Sequence, residues 1–179
     1  MSWFRRSTYF FAIFIVSCTG QQKDAAPAGK NYFDLAGYFK SQGESHAREK
    51  TAVRKTILKN GRSESKTLQI GDWEKEFSLF AGSDINKPAW TSSYETSERG
   101  DTVVYRAIDP TMRTQLIRIA KSGDGVGMIY IKNQEANTLY KSMEELHYFP
   151  DSLYRIEKKQ DVRFIGVNEY RIEGRFANE

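Results

Sequence analysis

Beyond Asp101 the chain breaks into short runs in which apolar and polar residues alternate. A run with period two can bury one clean face only as a strand in a sheet. The runs are Thr102–Ile108, Thr114–Ala120, Val126–Lys132, Thr138–Leu146, Leu153–Lys159 and Phe164–Phe176. Turn chemistry separates them, at Asp109-Pro110, Ser122–Gly125, Asn133–Asn137, Pro150-Asp151 and Lys158–Asp161. The last run sets Tyr170, Ile172, Gly174 and Phe176 on one face and Glu169, Arg171, Glu173 and Arg175 on the other, the pattern of a half-buried strand. Leu139, Met143 and Leu146 also fit a helical period, but the strands on either side favour a strand there too.

The first half is read from its turns and caps. Asn60-Gly61 is the preferred pair for a two-residue type I′ hairpin, because both positions need φ > 0. A turn centred there sets Val53 opposite Leu68 and Thr51 opposite Ile70. Asn31 can cap a short helix with Tyr32, Leu35, Ala36 and Phe39 along one face, ending near Gly43. Asp72 can cap a second, in which Trp73, Phe77 and Phe80 fall at i, i+4 and i+7, Glu74 and Glu76 suit the positive end, and Gly82 the terminus. The stretch 83–90, with Pro88, reads as an irregular loop.

The expected fold is therefore α+β: one large curved antiparallel β-sheet of about eight strands with two short helices. A sheet that wide curls toward a half-open barrel, because its apolar face must be covered. The aromatic helix at 72–81 is the natural cover.

Residues 1–17 form a segment apart. Arg5 and Arg6 precede an apolar run from Tyr9 to Val16, the layout of an export signal. That run falls well short of the roughly 20 apolar residues that span a bilayer. It ends in Ile15-Val16-Ser17-Cys18, and Cys18 is the sole cysteine of the chain. An odd cysteine in an exported protein needs an explanation. These four residues resemble the lipobox of bacterial lipoprotein signals, which implies cleavage before Cys18 and acylation of its sulfur and new amine. An ordinary secretory signal with a chance cysteine is the competing reading. Residues 18–30 are small, polar and aperiodic, a flexible tether, and 31–179 make up a single α+β domain. Gln21-Gln22-Lys23-Asp24 faintly resembles surface-export signals but has one acidic residue.

Charge excludes one class of partner. Arg5 and Arg6 leave with the signal, so the mature chain has 25 basic against 23 acidic side chains, with the signs interspersed. Nucleic-acid binding needs a basic stripe or patch, and none stands out.

Catalytic patterns are equally scarce. The chain has two histidines, His46 and His147, and no Gly-x-Ser-x-Gly elbow. Two separated histidines and a thiol taken by lipid argue against zinc, and the carboxylates near Gly123–Gly125 are too few for a calcium loop. The glycines at 123, 125 and 127 lie between strands, so they serve a hairpin and not a phosphate. Glu144 and Glu145 point to opposite faces of a strand. No catalytic residue, cofactor or metal ligand is assigned. What remains is aromatic content: Trp73, Phe77, Phe80, Trp90, Tyr140, Tyr154 and Tyr170 are either core or the lining of a binding surface.

From Asn31 onward the chain resembles small lipoproteins of Bacteroidota envelopes. Gly71–Phe80, Ser83–Trp90 and Tyr94 carry that likeness, which implies location and general build. Its strand order is also similar to periplasmic lipoprotein-carrier folds, in which a curved sheet wraps helices around an acyl-binding cavity. The expectation is a non-enzymatic envelope lipoprotein, anchored in the outer membrane by its N-terminal lipid and facing the periplasm. It would bind a lipid or another hydrophobic ligand, or an envelope protein, through its sheet. The alternative is a structural or assembly accessory that docks an outer-membrane partner through a sheet edge or loop 83–94. A closed cavity would favour the carrier and a filled core the accessory. A cleft uniting His147 with carboxylates would point to an enzyme.

Overall fold

The computed structural model describes residues 32–177. The leader 1–17, Cys18, the tether 18–30 and the Asn31 cap lie outside the described residues. Helix α1 (Leu35–Glu49) opens the fold and is followed by the hairpin β1 (Ala52–Lys59) and β2 (Arg62–Gln69). Two single-turn helices, α2 (Trp73–Glu76) and α3 (Ser78–Ala81), come next. Seven further strands complete the chain: β3 (Tyr94–Arg99), β4 (Thr102–Ala107), β5 (Thr114–Ser122), β6 (Gly125–Ala136), β7 (Tyr140–Phe149), β8 (Leu153–Val162) and β9 (Gly166–Ala177). They form one open antiparallel sheet in the order β2-β1-β9-β8-β7-β6-β5-β4-β3. The C-terminal strand thus pairs with β1, and the N-terminal hairpin is brought back onto the end of the meander.

The hairpin forms as the Asn-Gly turn dictates. Asn60 and Gly61 take φ of 46° and 84°, and Val53 faces Leu68. Helix α1 starts later and runs longer than its pattern predicts. Asp34 caps it, accepting from Gly37 N at 2.9 Å, and it passes through Gly43 to Glu49. Gly43 does not end the helix because it lets Trp73 pack close: a Cβ at Gly43 would lie 3.1 Å from Trp73 Cβ. Ala36 is exposed, and the buried side of α1 is Leu35, Phe39, Gly43 and His46. The helix expected at 72–81 is capped by Asp72 as predicted, but it breaks at Phe77 into α2 and α3. Trp73, Phe77 and Phe80 remain buried on the sheet.

The sheet has nine strands where the pattern shows about eight. The extra one, β3, is an edge strand whose residues after Tyr94 are all polar and exposed, so it has no alternation to read. The turns expected at 133–137 and 158–161 lie further on, because β6 continues to Ala136 and β8 to Val162. There the helices no longer cover the sheet, so the strand ends are polar on both faces and look like loops.

The core lies between the three helices and one face of the sheet. A row of side chains crosses seven strands in register: Ile57, Ile172, Ile156, Leu146, Ile131, Ile117 and Tyr105. Its burial is graded. Leu146 and Ile131 are fully covered, Ile156 is 7% exposed, and Ile57 at the β1 side is 44% exposed. Along this row the cover thins toward β1, whereas Val53 of β1 and Phe176 of β9, nearer the other end of those strands, are buried under α1 and α2.

Candidate binding site

That uneven cover divides the aromatic residues into two groups. Trp73, Phe77, Phe80 and Tyr154 are buried in the core and pack on one another and on Phe39 and Tyr148. Phe39 meets Phe80 at 4.8 Å and Tyr148 at 4.9 Å, and Phe77 meets Tyr154 edge-on at 5.7 Å. These are ordinary aromatic packing distances, so the group fills the interior. The Tyr154 hydroxyl donates to Glu76 Oε1 at 2.5 Å, and Lys55 Nζ donates to the same carboxylate at 2.7 Å. Burial raises the Tyr154 hydroxyl far above the usual phenol range, and the Glu76 carboxylate adds to the effect.

Tyr140 and Tyr170 belong to the other group. They stand half-buried on the open side of the helix-bearing face. Reading across the strands beyond Ile57 and Ile172, the next row is Lys59, Tyr170, Lys158, Glu144, Asn133 and Thr114. The one after it is Asn168, Gln160, Ser142 and Glu135. Lys59 Nζ lies over the Tyr170 ring at 5.3 Å. Buried Glu144 accepts from Arg113 at 2.8 Å and from Lys158 at 2.9 Å, so its charge is doubly compensated. Asn133 donates to Ser83 Oγ, yet Asn133 Oδ1 and Ser142 Oγ are buried with no partner among the described residues. The accessible part of these rows, on β1, β9 and β8, is thus amphiphilic: Ile57 and Ile172, then Tyr170 with Lys59 and Lys158, then Asn168 and Gln160, while Thr114, Asn133, Ser142 and Glu144 are buried.

Trp90 belongs to neither group. It ends a 3-10 turn in the 83–94 loop, with Lys87 Nζ 4.0 Å above its ring. That loop faces inward more than its composition suggests. Ser83 and Ile85 are fully buried, and the Asn86 side chain accepts from Tyr32 N and donates to Phe33 O. It ties the start of the described chain to the sheet, while Lys87, Pro88, Ala89, Thr91 and Ser92 stay exposed.

On the opposite, helix-free face, Glu145, His147 and Glu157 bring one ligand atom each within 4.8 Å of one another. Glu145 and Glu157 are directly opposed across β7 and β8, and His147 lies two residues along β7. Two carboxylates and an imidazole are a donor set that holds zinc or similar divalent ions. Burial lowers the His147 pKa, Arg155 lowers it further, and Glu157 and Glu145 oppose the shift, so the ring favours the neutral, ligating form. One member of the set is already engaged, however: Arg171 donates to Glu157 at 2.6 Å, and the Tyr130 ring lies 4.9 Å from His147. The sequence hides this cluster because it needs the β7–β8 register. A turn centred on Asp151 supplies that register, with Tyr148 facing Tyr154 and Glu145 facing Glu157.

No protein-family model matches the chain, and no curated protein matches it. Among solved structures it is similar to an S-type phycobiliprotein lyase from Guillardia theta. Identity is 11%, the TM-score is 0.29, and the alignment covers 79% of this chain and 98% of the other. At that level of superposition the likeness adds nothing to the strand order.

Proposed function

We propose that this is a lipid-anchored, non-enzymatic protein of the bacterial envelope that binds a ligand or a partner protein on the open half of its helix-bearing sheet face. One observation carries the reading. Four of the aromatic side chains that could have lined a cavity pack against one another, while Tyr170 stays accessible beside Ile57, Ile172, Lys59 and Lys158, and Tyr140 stays accessible further toward the end of β7. Such a surface suits a molecule with an apolar body and an acceptor-rich or anionic end, or a protein segment of that chemistry. The anchor is supported by Ile15–Cys18 following Arg5-Arg6 and the apolar run, and by a tether long enough to hold the domain clear of the bilayer.

A photoreactive amino acid at Tyr170, with a control at Ser65 on exposed β2, tests the site in intact envelopes. A discrete adduct from position 170 and none from 65 is the expected result, and mass spectrometry of the adduct distinguishes lipid from protein. Equal labelling at both positions sinks the proposal.

A further inference from the structure

The end of the sheet beyond Tyr140 and Val162 carries large apolar side chains that nothing in the fold uses. The β8–β9 turn, Arg163 to Ile165, exposes Phe164 by 93% and Ile165 by 76%, and Val167 follows at 53%. The neighbouring β6–β7 turn adds Leu139 at 67%, held alongside by Arg163 N donating to Leu139 O at 2.9 Å. Phe164 also sits at φ 70°, a left-handed conformation that bulky side chains adopt at a cost and that Asn or Gly adopts readily. The Arg163 guanidinium lies 5.0 Å over the Phe164 ring, an exposed and therefore weak contact against the cost of the left-handed backbone, so the main use of the ring lies outside the molecule.

Charge indicates what it meets. Lys59, Arg62, Lys141, Lys159 and Arg163 flank the same rim, against Glu135, Asp161 and Glu169, of which Glu169 is paired with Lys159 at 2.9 Å. Apolar side chains at a loop tip ringed by cations match the interface of an anionic bilayer. The described chain also begins at this end. Tyr32 packs on Tyr94, the first residue of β3, and Tyr94 pairs with Ala107 at the same end of the strands. The 13 residues between Cys18 and Tyr32 span up to about 45 Å when extended. From β4 to β8 across the sheet is about 19 Å.

We infer that the 163–165 turn, with Leu139 and Val167, inserts into the interface of an anionic lipid bilayer and fixes how the domain stands on it. This rests on the envelope reading but not on acylation. Full-length chain carrying Phe164→Trp is mixed with phosphatidylglycerol/phosphatidylethanolamine vesicles that contain lipids brominated near the glycerol, and the parent chain supplies the background from its own tryptophans. The added emission should shift to the blue and be quenched, and less so with phosphatidylcholine alone. A chain that floats with the vesicles while its position-164 tryptophan stays red-shifted and unquenched overturns the insertion and leaves the anchor standing. Quenching that persists with Cys18→Ala, together with loss of acyl labelling in neither chain, overturns the anchor and leaves the insertion. Phe164→Asn should keep or raise the thermal midpoint, and a lowered midpoint would place Phe164 in the service of the fold and overturn the inference.

Discussion

Gly174 shows how one missing side chain shapes the core. It faces Tyr154 across β8 and β9, and a Cβ there would lie 2.2 Å from the tyrosine ring. The ring thus lies over the glycine, covering backbone that would otherwise face an empty position. Gly174→Ala forces the ring away from Phe77 and from Glu76, so it should cost about 1–3 kcal/mol, the range for overpacking. The denaturation midpoint in urea measures this, and Tyr154→Phe with Gly174 intact provides the comparison that removes only the hydroxyl. An unchanged midpoint for Gly174→Ala would mean that the ring relaxes freely. The alternation of the last strand already puts Gly174 on the buried face. It cannot reveal that the glycine is the seat of a tyrosine from another strand, since that needs the register.

At the scale of elements, His46 joins three of them. It lies on α1, stacked between Trp73 of α2 at 4.6 Å and Phe176 of β9 at 4.5 Å. Its Nδ1 meets Thr51 Oγ1 at 3.1 Å, and Nε2 is buried with no partner among the described residues. Burial lowers its pKa and Glu49 opposes the shift. The unfolded chain therefore binds the proton first. Stability is full above about pH 6.5, the value for a free imidazole, and falls as the pH drops through the folded value. His147 is lowered in the same direction. His46→Phe keeps the stack without the titration, so the urea midpoint of the parent should fall more between pH 7.5 and 5 than that of the variant. Parallel losses would assign the acid sensitivity to other groups. How well elements can be read from sequence follows the same physics. The aromatic stripe and the inner strands are legible because each pairs a buried face with a wet one, and the hairpin because Asn60-Gly61 dictates its turn although β2 is exposed along nearly its whole length. The ends of β6 and β8, and all of β3 after Tyr94, are wet on both faces and leave no period. The open half of the face lies in that illegible region, which is why the sequence names Tyr140 and Tyr170 but not Lys59, Lys158, Asn133 or Ser142.

For the whole molecule, the open face, the apolar rim and the point where the chain enters are parts of one arrangement. A domain tethered at one residue can turn freely, and a second contact that inserts a few side chains removes most of that freedom. The rim is weak alone, as a single hydrophobic contact with a bilayer is marginal and two signals together hold. On the proposed reading, the anchor at Cys18 therefore controls the rest. Cys18→Ala should abolish incorporation of labelled fatty acid and move the chain from the membrane pellet toward the soluble fraction, with the thermal midpoint of the domain unchanged because residues 32–177 make their core without it. Raising the salt concentration should release more of the Cys18→Ala chain than of the parent, since the cationic rim is then its main hold and charge contacts at a surface are screened. If Cys18→Ala still takes up fatty acid, the lipobox assignment fails. If it loses the label yet stays in the pellet at every salt concentration, a hold other than the lipid and the rim must exist.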